Sequence, residues 1–195
     1  MSRRRQEAGM GQAAERDVAL AEPDARILAL AGADRARIQG LLSAAAEHFT
    51  ATGWRVMGVI EEIAADGEDV WLRDLVTGAR HKLTQDLGPG AAGCTLDPAG
   101  LAAACALVQA AVDAWASEPQ TQPAVVILSK FGRQEAEGRG LTHAFHAAVA
   151  ADLPVLTSVS PTVAGQWEAF AGPLARIAPV EMAAVAGWQE RLAPA

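Results

Sequence analysis

Cysteine is scarce in this chain, long apolar runs are missing, and positive charge is outnumbered. The two cysteines, Cys94 and Cys105, are not spaced as a CxxC pair, and reduced thiols in a cytoplasm fit them better than a disulfide framework. No apolar run approaches the roughly 20 residues that cross a bilayer, so no membrane partner is expected. The opening MSRRRQEAGMGQAAERD is basic but has no apolar segment behind it, so no secretory signal is expected and the localisation reads as cytoplasmic. Lys and Arg number 16 against 23 Asp and Glu, a formal net charge of -7, which makes non-specific nucleic-acid binding a poor fit.

What is present suffices for one sizeable core: 195 residues, 51% of them hydrophobic. Residues 1–24 are poor in large apolar residues and read as a flexible N-terminal tail, with Arg3, Arg4 and Arg5 as an alternative partner-binding arm. Residues 25–195 read as a single α/β domain in which strands alternate with helices. RILALAG, WRVMGVIEE, AVVILS and LPVLTSV are the apolar strands. Ile38, Leu41, Leu42, Ala45 and Phe49 mark one helix, and Leu101, Cys105, Val108, Val112 and Trp115 a second, with Asp97 as its N-cap and Pro98 behind it. EGRGLTHAFHAAVAA reads as a third, with Leu141, Phe145, Ala148 and Val149 inward, and AGQWEAFAG and VEMAAVAGWQERL as two more. EDVWLRDLVTGARHKLT reads as a hairpin about Thr77-Gly78. Apolar strands alternating with amphipathic helices predict a three-layer, mostly parallel sheet with a β-hairpin insertion, whose ligands bind at the C-terminal strand ends.

Those ends hold the chemistry. In a phosphate-binding loop the first strand-to-helix turn would read GxxxxGK[ST]; here LALAGADRARIQG keeps Gly32 but has no Lys-Ser/Thr pair. Asp34 is placed to cap the helix and repel a phosphate, while Arg35 and Arg37 offer cations beside the turn. The third strand runs into LSKFGRQEAEGRG, where Ser129-Lys130 stands in place of a Mg²⁺-holding acid. Gly132, Gly138 and Gly140 beside Lys130, Arg133 and Arg139 predict an anion-binding cup, against the plainer alternative of a salt-bridged loop. Glu135 and Glu137 would pair with the arginines, orient a water or bind a cation. Thr157, Ser158, Ser160 and Thr162 add hydroxyls at the same rim. Cys94 sits in the glycine-rich LGPGAAG region, where a thiol ligates a soft metal or attacks as a nucleophile, though a packed or exposed thiol fits better; Cys105 reads as core. His143 and His146 stand three apart on one helix but off its apolar face, and read as exposed rather than metal-binding.

DLVTGARHKLTQDLGPGAAGCTLDPAGLAAA, SKFGRQEAEGRGL and LPVLTSVSPTVAGQWEAFAG together resemble the bacterial Domain of Unknown Function 2478 family over most of Arg26 to Trp188. That family is similar to small P-loop nucleoside-triphosphatases, whose members carry an acidic pair, Ile-Gly and a further Glu at this strand end. Ser129 and Lys130 stand at the acidic-pair positions, Gly132 at the Gly and Glu135 at the further Glu. The resemblance implies a P-loop-type sheet and a similar hairpin. It does not imply hydrolysis, because the electrostatics of phosphoryl transfer are missing at the matching positions. The family's similarity to proteins encoded near molybdate-uptake systems implies an oxyanion.

Three functions follow. The first is a non-hydrolytic anion-binding protein whose partner is a small ligand, a nucleotide phosphate or an oxyanion such as molybdate. The second is an unconventional nucleoside-triphosphatase using Glu135 or Glu137, the one case that would need Mg²⁺. The third is an unliganded interaction subunit, in a homo-oligomer.

Overall fold

Apolar runs four or five residues long are buried on both faces here, and they set the architecture. The computed structural model describes residues 25–64, 69–84 and 96–192; the N-terminal tail and Cys94 lie outside the described residues. In chain order the elements are β1 (Ile27–Ala31), α1 (Arg35–Ala51), β2 (Arg55–Ile63), β3 (Val70–Asp74), β4 (Arg80–Lys82), α2 (Pro98–Ser117), β5 (Ala124–Leu128), α3 (Arg133–Ala136), α4 (Thr142–Ala150), β6 (Val155–Ser158), α5 (Ala164–Ala171), β7 (Ala175–Pro179) and α6 (Met182–Leu192).

Among the described residues the strands form one seven-stranded sheet in the order β4-β3-β2-β5-β6-β1-β7. The five strands from β2 to β7 in that order are parallel. β3 runs antiparallel to β2, and β4 to β3, so the hairpin extends the same sheet. Leu42 and Phe49 of α1 and Val185 and Trp188 of α6 cover one face, against Leu28, Leu30, Ile127 and Leu156. Residues of α2, α4 and α5 cover the other. β1 and β6 are neighbours, yet the helices that follow them go to opposite faces. That arrangement opens a crevice at their C-terminal ends.

Four expectations need correction. The sequence reading has no strand between the last two helices; β7 lies there, an edge strand that exposes Arg176 and Ile177 and is bordered by prolines, so it has no clean alternation to read. The helix read from EGRGLTHAFHAAVAA starts only at Thr142: Gly138 and Gly140 take positive φ ahead of it, and a separate short helix, α3, precedes them. Val149 is 40% exposed, because the inward stripe runs through Leu141, Ala144, Phe145 and Ala148. α2, 20 residues long, does reach the length and apolarity of a membrane span. Leu101, Ala104, Cys105, Val108 and Val112 pack into the core, as in a core helix.

Candidate functional site at the strand ends

Phe131 fixes the segment that leaves β5. Its ring is buried edge-on to Phe145 (5.9 Å between centroids) and Trp167 (5.1 Å), a burial that stabilises by about 1.5–3 kcal/mol. Its N–H donates to the Ser158 carbonyl (2.7 Å) and its carbonyl accepts from the Ser160 N–H (3.0 Å). Lys130 and Gly132, on either side, are thereby held at the crevice.

Lys130 turns toward Glu61, the seventh residue of β2. Glu61 Oε1 lies 2.8 Å from Lys130 Nζ, and Glu61 Oε2 accepts from Arg35 Nε at 2.7 Å. The carboxylate is 1% exposed, while the two cationic side chains are 46% and 45% exposed. Burial pushes the Glu61 carboxyl up, but Lys130 and Arg35 together outweigh it and hold the group below the ordinary carboxylate value. Gln39, buried in α1, locks the arrangement: its amide donates to the Ser129 carbonyl (3.0 Å) and its oxygen accepts the Glu61 N–H (3.0 Å). Ser158 Oγ donates to the same Ser129 carbonyl (2.9 Å).

Two cavities adjoin this group. A smaller one, about 240 Å³, lies over the start of α1 and is lined by Arg35, Gln39, Lys130, Ser158 and Ser160 among others. A larger one, about 360 Å³, lies between the hairpin, α2 and α3; Glu61, Lys130, Gly132, Arg133 and Glu135 reach it.

The cup expected from Lys130, Arg133, Arg139 and the glycine amides is not assembled. One glycine amide, that of Gly132, does hold an anion, but it is the protein's own. Glu135 accepts the Gly132 N–H at Oε2 (2.9 Å) and the Leu141 N–H at Oε1 (2.9 Å). Both oxygens of Glu135 are thus engaged by buried backbone amides. Arg139 pairs with Glu137 on the exposed surface, so neither faces the crevice. Arg133 is exposed at the start of α3 and lines only the larger cavity. Gly32 is exposed at the end of β1, and Asp34 accepts the Arg37 N–H (2.9 Å) as the N-cap of α1. Ser160 and Thr162 share a hydrogen bond (2.9 Å). Cys105 is core, and burial pushes its thiol up.

Of the expected site residues, Arg35, Ser129, Lys130, Ser158 and Ser160 come together. Glu61 and Gln39, which complete the group, were not singled out. Their signals are an acid closing an apolar strand (VMGVIEE) and a glutamine inside an apolar helical stripe.

A mostly parallel sheet covered on both faces, with its polar cluster at the C-terminal strand ends, defines a P-loop-type α/β protein. The sequence pattern of the family described as Protein of unknown function (DUF2478) matches residues 27–188, and the chain belongs to that family. The chain is also 31% identical over 176 residues to molybdenum import ATP-binding protein ModC 2 of Bradyrhizobium diazoefficiens. That match covers 88% of this chain but 19% of the relative, so the chain spans about a fifth of the relative's length. An ATP-binding relative agrees with the P-loop type of the sheet. No solved structure matches the chain.

Proposed function

We propose that the protein binds a small oxyanion, free or as part of a nucleotide, at the C-terminal strand ends without cleaving it. The observation that carries this is the pair of cations sharing one buried carboxylate. Arg35 and Lys130 together exceed Glu61 by one positive charge. Each spends one donor on Glu61, and a guanidinium carries five donors and an ammonium three. The remaining donors stand at the mouth of the smaller cavity with the Ser158 and Ser160 hydroxyls nearby. Charge-assisted hydrogen bonds from such groups are about twice as strong as neutral ones. The name of the relative pairs ATP binding with molybdenum import, and either would bring an oxyanion: a phosphate, or molybdate. A cytoplasmic protein is the setting this reading assumes.

Hydrolysis has less support. Glu135 is held by backbone amides, and Glu137 by Arg139. Glu61 is already neutralised by two cations, which would repel a divalent ion from its oxygens.

Calorimetric titration with molybdate, sulfate, phosphate, ADP and ATP, beside a phosphate-release assay, tests the proposal. Binding of at least one of these without release of phosphate is expected. Lys130→Met and Arg35→Met should each weaken that binding by about tenfold or more, as loss of a charge-assisted bond requires. Binding unchanged in both variants would discard this site, and turnover of ATP would discard the non-hydrolytic reading.

A further inference from the structure

The larger cavity is not lined as a bare inorganic ion would need. Leu72 of β3, Leu101 of α2, and Leu83, Leu96 and Leu141 supply its apolar surface. Its charged residues are Lys130 and Arg133 beside Glu61 and Glu135, whose carboxylates are engaged by the Arg35 and Lys130 cations and by backbone amides, respectively. An oxyanion laid on leucines loses water and gains no hydrogen bond. An apolar group laid there gains by leaving water. The volume, about 360 Å³, lies in the range of sites for small organic molecules. Lys130 and Ser160 line both cavities. An oxyanion held by Lys130 can therefore carry a covalently attached group over the leucines.

From this we infer the ligand class: a phosphate ester with a compact apolar body, its phosphate against Arg35 and Lys130 and its body on the leucine surface. This rests on the reading of those two cations as an anion grip, and adds what the grip is attached to. Arg133, exposed and lining the larger cavity but not the smaller, supplies a further cation beside the apolar surface.

Calorimetry with phenyl phosphate, inorganic phosphate and phenol tests the inference on the full chain. Phenyl phosphate should bind about tenfold or more tighter than inorganic phosphate, from burial of the ring. Gln134→Trp, at a half-buried position that lines the larger cavity but not the smaller, and Leu101→Phe, also in the larger one, should erase that advantage and leave inorganic phosphate binding unchanged. Thermal melts report whether each variant folds; if Leu101→Phe does not, Gln134→Trp decides alone. Equal affinity for the two phosphates, or an advantage that survives Gln134→Trp, overturns the ligand class and leaves the anion grip standing. Failure of both phosphates to bind overturns the ligand class, and the grip falls with it when molybdate, sulfate and the nucleotides also fail to bind.

Discussion

Glu61 does two things at once: it keeps Arg35 and Lys130 together, and it cancels half of their charge. Its folded-state carboxyl titrates below the ordinary value of 4.5, because Lys130 and Arg35 outweigh the burial that pushes it up. A group depressed on folding stabilises above its unfolded value, and that stabilisation is lost as pH falls through the folded one. The acid side of a melting-temperature profile, from about pH 6 down to pH 3, should therefore be less steep in Glu61→Gln than in the parent. A profile of unchanged slope would mean the ion cluster contributes nothing to folding. At Glu135 the same logic is built from backbone. Gly140 has φ +60°, and a Cβ there would overlap Glu135 Oε1. Gly140→Ala should cost about 1–3 kcal/mol in chemical denaturation, from strain and from displacing a buried acceptor. The cost should shrink when Glu135 is first replaced by Ala; equal costs in both backgrounds would separate the glycine from the carboxylate.

Elements carry the geometry that the residues need. β2 must pair with β5 to bring Glu61 to Lys130, and Gly58 sits against β5 where a side chain has no room. Its φ is +116°, and a Cβ would run into the Ile127 carbonyl across the strand pair. Gly58→Ala should destabilise by about 3 kcal/mol or more, or prevent folding, read by denaturant unfolding or by loss of soluble protein. A loss below about 1 kcal/mol would contradict the closeness of the two strands. The apolar strands were legible because burial on both faces leaves a continuous apolar run, as in AVVIL of β5. β7 was not, because an edge strand exposes residues such as Ile177. The break between α3 and α4 was signalled by Gly138 and Gly140 but not its cause, since a carboxylate folding back six residues onto the Leu141 N–H leaves no local pattern.

Across the whole molecule, three carboxylates occupy donors at or beside the C-terminal strand ends. Asp34 takes the N-terminus of α1, Glu61 takes the two cations and Glu135 takes the loop amides. That polar residues gather at the strand ends was readable from alternating strands and helices. Which cation meets which acid was not, because Arg35, Glu61 and Lys130 are far apart in sequence and meet only through the crossover of α1 and the pairing of β2 with β5. Two of the three are held by backbone amides. The third leaves a surplus of positive charge beside a cavity. The account thus predicts a protein that holds an anion weakly against its own competing acid. Glu61→Gln tests it most directly, in a calorimetric titration with inorganic phosphate at neutral pH. Removing that carboxylate frees both cations, so phosphate should bind about tenfold tighter than to the parent protein. Affinity that falls or stays the same in a folded Glu61→Gln protein would contradict the account.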